Sequence, residues 1–372
     1  MTPGLSPSAA GPALHVRAVV LPDGEPRDLF VVDGKLTFDR PRYLDVEALA
    51  SSGFVLPGLV DAHCHVGLAA EGGVPFDVAR EQAVTDRDAG ALLLRDAGVP
   101  ETHYGLDDDP ELPRIVHGGR HLARTRRYLR NYAHEIEPEE LPAAAEFQAR
   151  RSGGHGTPWV KLVGDWIDRS VGDLTPCWPA DVLCEAVQRA HDGGARVAVH
   201  VFGEEALPDL IAAGVDSIEH GTGISAELLD DIAARGIAVV PTLVNIANFD
   251  KFAGQATKYP VYAERMRRLK RGSAARIRDA YDAGIPLYVG TDAGGQLPHG
   301  LVVDEMLALH DIGLSNLDVL AAGSWNARSW LGLPGLVEGA PADFVVYDDD
   351  PRADLIALRS PRHIVVRGNV VR

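Results

Sequence analysis

Two histidines one residue apart, His63 and His65, close an apolar run that begins near Phe54. Side chains two apart on a strand share a face, so both imidazoles point one way and Cys64 points the other. Neutral imidazole is the commonest protein ligand for zinc and its neighbours, so two convergent rings at the carboxyl end of a strand are a candidate metal site. Later apolar runs carry four more residues able to hold or serve a metal: Lys161 in WVKLV, His200 in AVHVFG, His220 in SIEHG and Asp292 in VGTDAGG. Taken singly, the histidines read as hydrogen-bonded interior residues, and an aspartate before two glycines reads as a turn. Lys161 resists that treatment, because an ammonium inside an apolar run is destabilising unless its charge is removed or paired. Together the six residues point to metal chemistry.

Such groups need rigid strands behind them. From about residue 53 to 333 the chain alternates apolar runs with helical patterns, the sequence form of a parallel α/β fold. Eight runs read as strands: 54–63, 92–96, 114–118, 159–163, 196–201, 217–220, 237–243 and 286–291. Eight is the number of a TIM-like (β/α)8 barrel, where catalytic groups sit at the carboxyl ends of the strands. A doubly wound open sheet would carry a glycine-rich phosphate loop after its first strand, and none follows here. Residues 180–192 place Val182, Leu183, Ala186, Val187 and Ala190 on one helical stripe, and 258–283 reads as one long helix. Both chain ends have a different texture, short β-runs broken by turn pairs such as Asp33-Gly34 and Gly368-Asn369. The expected organisation is a barrel over 57–334, a small β-sandwich domain built from 14–56 plus 335–372, and a disordered tail over 1–13.

Composition narrows the partners. A formal charge of −17 on 372 residues disfavours nucleic acid, and no apolar run reaches the length of a membrane span. Three cysteines are too few for a disulfide framework, and the first dozen residues lack the charged and apolar regions of a secretory signal. A small-molecule substrate and a cytoplasmic location are expected. Against this acidic background Arg120, Arg124, Arg126, Arg127 and Arg130 crowd a segment that also holds Tyr128 and Tyr132. One reading has Arg120 and its neighbours, with a tyrosine, clamping a substrate carboxylate; the other is a solvated basic face or subunit contact. His117 and His299 are further candidates for substrate contact, with ordinary hydrogen-bonded residues as the alternative.

The PGLVDAHCH entry strand, the lysine of the fourth run, the two later histidines, GTDAG and the GLVEGAPADFVVYDDDP tail resemble the metal-dependent amidohydrolase superfamily over nearly the whole chain. With RDAG at 95–98, the pattern is similar to the branch holding Xaa-Pro dipeptidases and imidazolonepropionase-like hydrolases. The resemblance implies a distorted barrel, a β-sandwich from both termini and two divalent metal ions, zinc being the expected one. One ion would be held by His63, His65 and Asp292, the other by His200 and His220, with Lys161 bridging both as its N6-carboxylated form. Two ions sharing a water supply a hydroxide nucleophile, and Asp292 is the implied general base and then acid. The implied reaction is hydrolysis of an amide, peptide or lactam C–N bond. A mononuclear-type deaminase or imidazolone hydrolase is the alternative chemistry. A non-catalytic assembly protein on the same scaffold is a third reading, set against the presence of all six ligand positions. Association into a homo-oligomer also accords with the resemblance.

Overall fold

The computed structural model describes residues 13–151 and 154–372. The tail expected over 1–13 lies outside the described residues apart from Ala13, which opens the first strand. Both chain ends build a single eight-stranded sheet. Ala13–Val20 pairs antiparallel with Glu25–Val32, and Phe344–Tyr347 pairs antiparallel with Phe54–Pro57, so the termini meet in one ladder. Asp33 and Gly34 both take positive φ, 48° and 74°, as a tight hairpin turn requires. The C-terminal turn falls one residue earlier than the sequence suggests: Arg367 and Gly368 carry the positive φ values, and Asn369 already belongs to the last strand.

The run expected as one strand over 54–63 is two. Phe54–Pro57 belongs to the terminal sheet, and Leu59–Cys64 starts the interior. Gly58 is the joint, because a Cβ there would lie 2.4 Å from the Leu92 side chain. The joint is gripped from the far end of the chain. Gly58 N–H donates to the Asp343 carbonyl at 3.0 Å, Ser324 Oγ donates to the Pro57 carbonyl at 2.7 Å, and Arg328 Nη1 donates to the Gly58 carbonyl at 3.2 Å. The buried Asp343 carboxylate also takes Arg114 Nε at 2.6 Å and the Arg367 backbone N–H at 2.6 Å.

Leu59–Cys64, Ala91–Asp96 and Arg114–His117 form a parallel three-stranded sheet. A six-stranded parallel sheet runs from His134–Ile136 and Leu122–Arg124 through Trp159–Val163, Arg196–Val201 and Ser217–His220 to Ala238–Val240. The segment 286–291, expected as the eighth strand, is not a continuous strand but spans the two sheets. It bridges Val239 through Leu287, the Ala62 N–H donates to the Val289 carbonyl at 2.8 Å, and Ala293 just beyond it bridges Cys64. The expected ring of eight strands is therefore met in part. Among the described residues no ladder joins Arg114–His117 to the six-stranded sheet, where the place beside Trp159–Val163 is taken by Leu122–Arg124, paired through Leu122 to Leu162.

Every residue of Leu59–Cys64, Ala91–Asp96 and Trp159–Val163 is buried, as parallel strands covered on both faces must be. Ala180–Asp192 buries Leu183, Ala186, Val187 and Ala190 of the expected stripe and leaves Val182 half-buried. The long helix runs Pro260–Asp282, with its proline in the first turn where a missing N–H costs nothing. None of the helices among the described residues is long and apolar enough to cross a membrane. Two additions cover the interior: an antiparallel hairpin, Asp165–Asp168 with Asp173–Pro176, and the short helices Leu243–Ile246 and Phe249–Gln255.

Candidate active site

His63 and His65 lie at the end of Leu59–Cys64, and Asp292 follows the 286–291 segment. Asp61 pins these two pieces together: Oδ1 accepts the His63 N–H at 3.1 Å and the Thr291 N–H at 3.0 Å, while Oδ2 accepts Thr291 Oγ1 at 2.6 Å. Asp292, His220 and Thr242 hold φ values of 59°, 68° and 51°, a left-handed conformation that costs free energy and gathers at functional sites.

His63 Nε2 and His65 Nε2 converge on one oxygen, Asp292 Oδ1, at 3.3 and 2.9 Å. His65 Nδ1 lies 2.7 Å from the Gly98 carbonyl, which can only accept, so the proton of a neutral ring sits on Nδ1. The Nε2 lone pair then faces a carboxylate, an arrangement that repels unless a cation is shared. Ligand atoms of His63, His65 and Asp292 all lie within 4.8 Å of one another, which fits a single metal ion. His63 Nδ1 is anchored in the same way, 2.6 Å from Glu219 Oε2. Behind Glu219 stands a buried guanidinium: Arg95 Nη2 is 2.8 Å from both Glu219 oxygens and its Cζ lies 4.5 Å and 4.9 Å from the Trp159 and Trp330 rings. Burial alone would raise the Glu219 pKa, but Arg95, Lys161 and His63 hold it well below the usual range.

The other three candidate ligands stand beside this group. His200 Nδ1 is 2.9 Å from His220 Nε2, and the His220 ring centre is 5.1 Å from that of His63. Desolvation drives His200 far below its ordinary pKa and His220 to about 3, leaving both as the neutral ligand form. Lys161 Nζ and His200 Nε2 are buried without a hydrogen-bond partner among the described residues. Burial lowers the Lys161 ammonium to about 8 against the pull of Glu219 and Asp292. An unpartnered buried amine is costly as a plain lysine.

A cavity of about 410 Å³ opens over these groups, with His65, His200 and Asp292 among its lining residues and aromatic rings on its walls. Asn245 Nδ2 donates to Asp292 Oδ2 at 2.6 Å and fixes the carboxylate plane. The sequence profile of the amidohydrolase family matches residues 173–371, more than half of the chain. The chain belongs to the amidohydrolase family. Membership makes it a hydrolase acting on carbon–nitrogen bonds. An uncharacterised Mycobacterium tuberculosis protein is 48% identical over 365 residues, 98% of this chain and 97% of that one. A 5-methylthioadenosine/S-adenosylhomocysteine deaminase of Natronomonas pharaonis is 27% identical over 410 residues, 97% of this chain and 90% of the relative. A solved Xaa-Pro dipeptidase with methionine bound in its active site shares the fold, with a TM-score of 0.77 at 21% identity over 97% of this chain and 100% of that one.

Within this amidohydrolase the expected substrate contacts divide. Tyr128 and Tyr132 line the cavity, and the Tyr132 hydroxyl donates to the Ala69 carbonyl at 2.9 Å. His117, Arg120 and His299 do not line it. His117 is buried 3.0 Å from Asp107, His299 is held 2.7 Å from Asp86, and Arg120 is exposed. None of the clustered arginines faces the cavity either. Arg127 turns the other way and braces its wall, with Nη2 at 2.8 Å from both the Trp166 and Thr175 carbonyls of the hairpin. The arginine that does line the cavity is Arg169, in the turn of that hairpin, and Trp166 and Asn245 were equally unforeseen. His121, which no sequence pattern distinguished, stacks on His65 at 5.2 Å with both ring nitrogens unpartnered among the described residues. Its one signal was its place just past the carboxyl end of an inner strand.

Proposed function

We propose that the protein is a metal-dependent hydrolase of an amide, peptide or lactam bond in a small substrate, working at a two-metal site in a distorted (β/α)8 barrel. The observation that carries this reading is the pair of imidazole Nε2 atoms turned onto one carboxylate oxygen. His63, His65 and Asp292 would hold one divalent ion and His200 and His220 the other, zinc being the natural choice for imidazole and carboxylate donors. Lys161, buried and unpartnered, is the candidate bridge as its N6-carboxylated form. Bound metal supplies Lewis-acid activation of a water and of the carbonyl to be attacked. Asp292, its plane set by Asn245, takes the proton from the attacking water and returns it to the departing amine. Arg95 and Glu219 keep His63 turned toward the site. Residues 57–334 are the catalytic domain in this reading, with 14–56 plus 335–372 as the second domain. The exposed free thiol of Cys184 suits a cytoplasmic setting, where it stays reduced.

Metal analysis of the reconstituted protein, followed by a screen of N-acyl amino acids, dipeptides and small lactams, tests the reading. Two ions per chain with amine release is the expected result; a metal-free, inactive protein after reconstitution overturns it. A second reading, deamination at a ring carbon, is favoured by the 27% identical deaminase and by the three-ligand group His63, His65 and Asp292. One ion per chain, with ammonia released from 5-methylthioadenosine, would select it.

A further inference from the structure

The cavity walls are aromatic: Tyr128, Trp166, Phe202, Phe252, Tyr259 and Tyr262 face the space. Arg169 is the one arginine or lysine among the lining residues, and Asp292 is the one carboxylate. The two differ in availability. Asp292 is already committed to His63, His65 and Asn245. Arg169 is exposed and makes no hydrogen bond or ion pair among the described residues. It is also carried on a braced support. Arg127 holds the Trp166 and Thr175 carbonyls, and Asp165 accepts the Phe202 and Gly203 N–H groups at 3.0 and 2.6 Å, so both arms of the hairpin are tied to the body of the protein.

A substrate entering this space meets rings for an apolar side chain and a planar five-donor fork matched to a carboxylate. A free α-ammonium on the acyl side of the scissile bond meets no uncommitted carboxylate among the lining residues, so its desolvation goes uncompensated. We infer that the site takes N-acylated amino acids with a large apolar or aromatic side chain, the carboxylate on Arg169 and the acyl carbonyl toward His65, His200 and Asp292, and that it discriminates against dipeptides with a free N-terminus. This rests on the C–N hydrolysis reading above. The step adds the hydroxyl of water to the acyl carbon and its proton to the nitrogen. The C–N bond breaks, and a carboxylic acid and a free amino acid leave.

The test uses the metal-reconstituted full chain with N-acetyl-L-phenylalanine, its C-terminal amide and L-alanyl-L-phenylalanine. The N-acetyl acid is expected to exceed both others in kcat/KM by roughly tenfold or more, the worth of one charge-assisted hydrogen bond. Arg169→Gln should raise KM for the acid by roughly tenfold to a hundredfold with kcat little changed, leave the amide unaffected, and be partly rescued in Arg169→Lys. Equal kcat/KM for acid, amide and dipeptide, or an unchanged KM in Arg169→Gln, overturns the inference. Calorimetric binding of N-acetyl-L-phenylalanine separates the two levels. Binding lost in Arg169→Gln without any turnover sinks the hydrolysis reading and keeps this one, while amide and dipeptide turnover without acid preference does the reverse.

Discussion

Asp292 Oδ2 accepts Asn245 Nδ2 while Oδ1 faces the His65 Nε2 atom, so its carboxylate is fixed in plane before any substrate arrives. Asp292→Asn keeps the shape and loses the proton acceptor. It is expected to retain most bound metal while kcat falls by about 10³-fold, in the usual range for removal of a general base, as read by metal analysis beside steady-state kinetics. Glu219 acts one step back. Glu219→Gln weakens the acceptor for His63 Nδ1 and leaves the Arg95 guanidinium uncompensated between two tryptophans. Metal affinity should drop roughly tenfold to a hundredfold in a chelator competition, with a wild-type affinity refuting the positioning role. The six candidate ligands were legible in the sequence because each occurs in or at the end of an apolar run, where a polar side chain has to be accounted for. The cavity lining was legible only in part, at Tyr128 and Tyr132. A loop side chain points where tertiary packing sends it, and the contrast between Arg127, which braces, and Arg169, which faces the cavity, has no counterpart in local pattern.

Among the elements, the inner parallel strands were readable because both of their faces are buried and the runs are almost continuously apolar. Their interruptions were harder to see. The break at Gly58 depends on the approach of Leu92, and the hairpin over 165–176 is broken up by Asp165, Asp168 and Asp173, which disguise its alternation. The Asp61 bridge between Leu59–Cys64 and Thr291 should be energetically visible. Asp61→Ala removes three hydrogen-bond acceptor contacts and leaves buried donors behind, so a loss of about 3 kcal/mol in urea unfolding is expected. The Arg114–His117 strand carries a pH signature of its own. Burial disfavours the His117 imidazolium, but Asp107 and Asp96 outweigh it and raise the pKa to about 9. A histidine raised on folding contributes stability that is whole below its unfolded value near 6.5 and is lost as pH climbs through the folded one. The urea midpoint of the wild type should therefore decline between about pH 6.5 and 9, and His117→Gln should flatten that decline.

At the scale of the molecule, metal and fold are coupled, since the converging donors repel or stand unpartnered without a cation. Exhaustive chelation should lower the melting temperature, and re-addition at a hundred times Kd should restore about 2.7 kcal/mol by mass action. A melting temperature indifferent to chelator and metal would separate the site from the fold. The meeting of the two chain ends was legible from their shared strand-and-turn texture, whereas the incomplete ring of inner strands depends on which segment captures the edge beside Trp159–Val163, a competition that local sequence does not report. The grip of Ser324, Arg328 and Asp343 on Pro57 and Gly58 sets a schedule for biosynthesis. The histidine strand is translated well before the residues that seat its entrance. A nascent chain stalled short of Ser324 carries all six candidate ligands but lacks the residues that grip Pro57 and Gly58, so nonsense mutations between Asp292 and Ser324 should yield inactive protein rather than a trimmed enzyme.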